Sequence, residues 1–272
     1  MRIYIKGFFQ KSEKEKEVIN MQREKVFNKK TIHAYIIVIA IAVILAIVGL
    51  IMLRYSVEGE RNLPFEIKSI LIVSTVEGGA VERDDYEQWF IELFQINDIF
   101  FEITKNANHR REDTIRSVVF ENIRIEAYND IGTAKMYRQY NNYGGYQYTE
   151  EFLLTDRIEF EGNTSTDIGA LQINNQGGVL IGFRVALKDI GRYPVTEDEI
   201  FRANGAALNS AGINLDDITM TLLFDIIIET GSGHRTRAEY SIELPAGNIL
   251  EEEEGRLHTR ITDLSNMVFR RF

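Results

Sequence analysis

The chain has no cysteine, three prolines and one tryptophan among its 272 residues. Without thiols there is no disulfide framework, no thiolate zinc site, no cysteine nucleophile and no lipid-modified N-terminal Cys. Its four histidines, at 33, 109, 234 and 258, show no metal-ligand spacing. Phosphate-cradling glycine loops, dinucleotide fingerprints and nucleophile elbows are missing as well, so no cofactor is expected and no standard catalytic motif is present.

Charge is missing from one long stretch. Ala34 to Leu53 (AYIIVIAIAVILAIVGLIML) is twenty residues without Asp, Glu, Lys or Arg. As a helix it extends about 30 Å at 1.5 Å per residue, the thickness of a bilayer's hydrocarbon core. A cleaved signal peptide wants a shorter run, about 7–15 residues, with a small-x-small site behind it. Here Arg54-Tyr55-Ser56-Val57-Glu58 follows instead. The expectation is an uncleaved, single-pass anchor in a cell membrane. Six Lys/Arg in residues 14–33 against three in 54–73 put the N-terminus in the cytoplasm and the body outside. Ala42, Ala46 and Gly49, at spacings of four and three, form a small-residue stripe suited to contact with another helix.

The anchor divides the charge. Residues 1–33 carry nine Lys/Arg and four Glu, and with the whole chain at −10 the remainder sums to −15. An acidic body repels phosphate backbones, so nucleic acid is not an expected partner. The divisions expected are a basic tail (1–33), the span (34–53), a polar stalk (54–64) and β-rich regions over 65–155 and 156–272, which can also be one domain.

Within the body, alternation of apolar and polar residues predicts strands over 65–76, 99–104, 115–126, 152–161, 169–173 and 179–188. Gly78-Gly79 is expected to end the first, and Asn97-Asp98 to turn the chain into the second. Asp85 followed by Gln88, then Trp89, Phe90, Leu93 and Phe94, reads as a short helix. Thr196 and Glu199 read as a capping box for a second helix that ends at Gly212. In 218–230 and 234–244 the apolar residues fall on even numbers. A hairpin that keeps them on one face needs a three-residue loop, Gly231-Ser232-Gly233, with Gly233 left-handed. That makes Ser232 and His234 turn residues, not a catalytic pair. The fold class is thus a single transmembrane helix plus a mainly antiparallel, sandwich-like β body with two short helices.

Tyrosines crowd between 128 and 148. A Gly144-Gly145 turn sets Tyr143 opposite Tyr146 and Tyr137 opposite Phe152, so Tyr137, Tyr143, Tyr146 and Tyr148 are the candidate binding surface. The functional expectation is a non-catalytic binding or assembly module of a bacterial cell envelope, with the lipid bilayer and an envelope protein or wall polymer as partners. The alternatives are a subunit of a larger membrane complex joined through the span, or an envelope hydrolase whose carboxylates converge from distant strands.

Overall fold

The computed structural model describes residues 29–60, 62–83, 89–138, 153–154, 156–162, 171–173, 178–195 and 200–272. The chain divides into two units, 1–58 and 59–272.

The described part of the first unit is one helix, α1 (Lys29–Glu58). Its segment Ile32–Glu58 is long and apolar enough to cross a membrane, and none of its most apolar window is buried in protein. The apolar surface runs all the way round, as a lipid-solvated helix requires. An Arg54–Glu58 pair at 2.9 Å lies on its last turn.

The second unit is two facing six-stranded sheets. The strands are β1 (Phe65–Arg83), β2 (Trp89–Lys105), β3 (Ile115–Ala127), β4 (Thr133–Arg138), β5 (Leu153–Leu154) and β6 (Ile158–Gly162). They continue as β7 (Leu171–Ile173), β8 (Gly178–Pro194), β9 (Met220–Thr230), β10 (Arg235–Leu244), β11 (Arg256–Ile261) and β12 (Arg270–Arg271). Sheet A runs β11-β1-β2-β8-β4-β5, and sheet B runs β12-β10-β9-β3-β6-β7. Every pairing is antiparallel except β6 with β7. Both sheets take strands from either side of residue 155, and a single hydrophobic core joins them.

Aromatic rings fill the middle of that core. Phe101 of sheet A lies 4.6 Å from Phe120 and 5.4 Å from Phe224 of sheet B, and Phe183 lies 5.4 Å from Phe120. The alternation that places them is period-two burial: in β9 and β10 the even-numbered apolar residues point inward, as their pattern required. Paired numbers there add to 464, and Gly233 has φ +84. The three-residue loop is as the sequence demands.

Three expectations fail, each because tertiary pairing overrides a local signal. Trp89 to Phe94 are strand residues of β2, hydrogen-bonded to both β1 and β8. Their aromatic and β-branched content suits a pleated surface, and apolar spacings of one and four fit either period. Asp85 and Gln88 lie outside the described residues. Gly78-Gly79 does not stop β1: the strand bulges there, and the missing Cβ makes room for the Phe201 ring, whose Cε1 would sit 2.6 Å from a Cβ at Gly78. Asn97 and Asp98 lie mid-strand because both find partners inside the sheet. Asn97 is fully buried and exchanges hydrogen bonds with Gln95 (2.7 and 2.9 Å) while accepting one from Ser74 Oγ at 2.7 Å. Asp98 faces Arg184 across β8 in a bidentate pair at 2.6 and 2.7 Å.

The helices of the body are short. α2 (Gly205–Ser210) starts at Asn204, whose side chain accepts from the Ala207 amide at 3.0 Å, and ends before Gly212 at φ +76. Gly212 is the stop that the sequence implies, but the helix begins later than residue 200, and Ile200 is exposed. Thr196 and Glu199 lie outside the described residues. α3 (Leu215–Ile218) is held by Asp217, which accepts from the Asn214 amide at 2.9 Å.

Because Phe101 is fully buried at the inter-sheet contact, Phe101→Ala should cost about 3–5 kcal/mol of stability. Denaturant unfolding monitored by circular dichroism checks this. A loss under about 1 kcal/mol is what a peripheral side chain gives.

Candidate functional site

Of the clefts described on the body, the two of about 500 and 480 Å³ are not lined by Tyr137. The first is on the outer face of sheet B, where β3 is interrupted. Glu121 pairs with Asp225, but the next partner pair is Arg124 with Leu223, so two residues of β3 stand opposite the single Phe224 and one extra residue is accommodated in β3. Asn122 takes φ +53, a left-handed conformation that Asn tolerates better than most residues. The bulge sends Ile123 into the core and lets Asn122 Nδ2 donate to Asp225 Oδ2 at 2.6 Å.

Asp225 is the centre of this site. It is 6 % exposed and sits between Glu121 and Glu239 in one cross-strand row of three carboxylates. Like charges placed directly opposite repel. Arg237, diagonal to Asp225 on β10, offsets this: its Nη2 donates to Asp225 and its Nη1 lies 3.6 Å from Glu121 Oε1. The hydrogen bond to Asp225 is the main reason why the Arg237 pKa is raised, against a smaller opposing effect of burial; the charges of Glu121 and Glu239 add to the rise. Its Nε is buried with no acceptor, the one such side-chain atom among the described residues. Asn122, Asp225 and Arg237, together with Arg124, Asp156, Glu239 and Tyr240, line a cleft of about 500 Å³. Burial, and then the charge of Asp263, raise the Tyr240 pKa.

The second cleft, about 480 Å³, lies at one end of the sandwich. Three segments meet there: Glu60 with residues 62–65, the loop after β2, and the turn between β9 and β10. Their contacts are specific. The Asn106 amide donates to Pro64 O at 2.9 Å, His109 Nδ1 lies 3.1 Å from Asn62 O, and the Gly231 amide donates to Thr114 O at 2.8 Å. Asp113 ties loop to turn by accepting from the Ser232 hydroxyl and, at 3.1 Å, from the Ser232 amide. Burial opposes its charged form, but the bonds from Ser232 and from the Thr114 amide outweigh this and lower its pKa. Ser232 therefore gives its proton to a carboxylate, not to a histidine, and this is not the geometry of a nucleophilic triad.

The residues expected from sequence fall elsewhere. Tyr137 is 3 % exposed, packed with Ile96 and Ala186 on the outer face of sheet A, with Lys188 Nζ 5.4 Å from its ring centroid. It pairs with Leu153, one residue out of the register that a Gly144-Gly145 turn implies. Tyr143, Tyr146 and Tyr148 lie outside the described residues. Ala42, Ala46 and Gly49 lie along one side of α1, and a Cβ at Gly49 would meet nothing within 4 Å. The first cleft did leave a trace in the sequence: Asp225 is the only polar residue in the run Leu222 to Ile228. The bulge that brings Asn122 to it left none.

Compared with known proteins, the chain matches no family model, no curated protein and no solved structure.

Two outcomes follow. Asp225→Ala should cost about 2–3 kcal/mol, less than a fully buried pair because the Arg237 side chain is 36 % exposed. The double variant Asp225→Ala/Arg237→Met should recover part of the loss in a double-mutant cycle. For Asp113, a folded-state pKa below the unfolded one means that the folded chain binds fewer protons between the two values. Its contribution is therefore complete above the ordinary Asp range, about 3.9, and is lost as pH falls through the lowered value. Asp113→Asn should flatten the fall of stability with acid below about pH 4, measured by urea unfolding across pH.

Proposed function

We propose that this protein is a non-catalytic binding or assembly module of the bacterial cell envelope, anchored by α1, with its N-terminus in the cytoplasm and its β-sandwich outside. The observation that carries the reading is the Asn122–Asp225–Arg237 constellation. A left-handed bulge residue, a buried carboxylate and a guanidinium are fixed together on a rigid sheet beside an open cleft of about 500 Å³. Cavities of that size with a few oriented polar groups are where ligands bind. Asp225 is committed to holding Asn122 and Arg237, which suits a recognition surface better than proton transfer. The rim offers a donor from Arg124 and acceptors from Asp156 and Glu239, a mixture that suits a polar protein segment or a wall polymer.

Convergence of Asp156, Asp225 and Glu239 from separate elements on one cleft also supports the second reading, an envelope hydrolase. That reading predicts turnover of wall polymer that Glu239→Gln abolishes.

The binding reading is tested with the detergent-solubilised full chain on a resin, challenged with envelope extract and with purified wall sacculi. Retention of a partner by the native chain, lost in Arg124→Glu/Glu239→Lys with the circular dichroism spectrum unchanged, is the expected result. Equal retention by both chains, or none by either, counts against it.

A further inference from the structure

The cleft at the end of the sandwich carries an inference of its own. Its charges separate into those already committed and those that are not. Asp113 is occupied by Ser232 and the Thr114 amide, and Glu60 faces Arg271 at 3.9 Å. Arg110 and Arg111 line the same cleft with no hydrogen bond or ion pair among the described residues, opposed by one uncommitted carboxylate, Glu112. The uncommitted charge of this cleft is therefore positive, on a body whose residues sum to −15.

Two further observations indicate what kind of anion belongs there. The cleft wall includes Glu60, which follows Glu58, the last residue of α1, by two positions, a contour length of about 7 Å. At the same end, β12 pairs Arg271 with Thr236, and the terminal Phe272 is 58 % exposed with the Arg235 guanidinium 4.8 Å from its ring centroid. An exposed aromatic ring flanked by arginines is the composition of a bilayer interface. An acidic body on so short a connection is repelled by an anionic lipid surface, whereas each Arg or Lys near that surface is attracted by about 1 kcal/mol. Guanidinium groups match phosphate oxygens in a bidentate fork.

We infer that the Arg110–Arg111 cleft binds the phosphate of an anionic phospholipid headgroup, in the leaflet where α1 ends. This rests on the reading of α1 as a membrane anchor.

The experiment places the full chain in nanodiscs of phosphatidylcholine alone or of phosphatidylcholine with phosphatidylglycerol. Amide hydrogen exchange is then followed in residues 105–114 and 230–236. The expected result is several-fold slower exchange in the discs with phosphatidylglycerol, abolished in Arg110→Glu/Arg111→Glu, while the β9 and β10 core amides exchange equally in both chains. Soluble glycerol phosphate added to phosphatidylcholine discs separates the sources. If it reproduces the protection at millimolar concentration, the site takes a free phosphate ester and the lipid assignment is overturned. Identical exchange in both kinds of disc overturns the proposal while leaving the anchor intact. A chain that fails to enter discs at all removes the anchor and the proposal together.

Discussion

Each sheet of the body has one face that water would penalise, and the two faces can only be buried against each other. That constraint governs the rest of the molecule. No disulfide contributes, so the inter-sheet contact, with Phe101, Phe120, Phe183 and Phe224 at its centre, holds the body together. Side chains alternate along a strand with period two, so fixing which residues face inward also fixes which face outward. The outer carboxylate row of Glu121, Asp225 and Glu239 is thus a consequence of placing Phe120, Phe224 and Ala238 inside.

Polar groups are placed where that arrangement tolerates them. Ser74, Gln95 and Asn97 occupy the inner face of sheet A, which is possible only because they satisfy one another. Such a cluster favours one register, since a slip of one residue would separate its members and leave each buried without a partner. On sheet B the solution is different. A bulge breaks the alternation of β3 and gives Asp225 a second donor, while Ile123 still reaches the core. The cleft beside it exists because the strand was made irregular at that point.

Charge divides the chain into an apolar helix and an acidic body. α1 presents apolar surface on every side of its described span, and an Arg54–Glu58 pair lies on its last turn. Arg110 and Arg111, without a partner among the described residues, line the cleft whose wall also includes Glu60. Gly59 and Glu60 are part of the body: the Glu60 amide donates to Phe269 O at 2.8 Å, and a side chain at Gly59 would collide with the same carbonyl.

The span, the even-numbered inward faces of β9 and β10, the three-residue loop between them and the stop at Gly212 were legible in the residues alone. Each is set by local chemistry: an uncharged run of bilayer length, a side-chain period, a parity condition and a left-handed glycine. Other features depend on neighbours far along the chain and were not legible. Trp89–Phe94 became strand because β1 and β8 flank it, and Asn97-Asp98 stayed extended because Ser74, Gln95 and Arg184 satisfy it. The clefts belong to this second class. Asn122 and Asp225 are 103 positions apart, as the bond between them spans β3 and β9, and Asp113 meets Ser232 across 119. Sequence periodicity settled which faces are buried, since burial repeats locally along each strand. Only the tertiary structure decided which polar side chains meet, because that depends on how distant strands are ordered in the sheets.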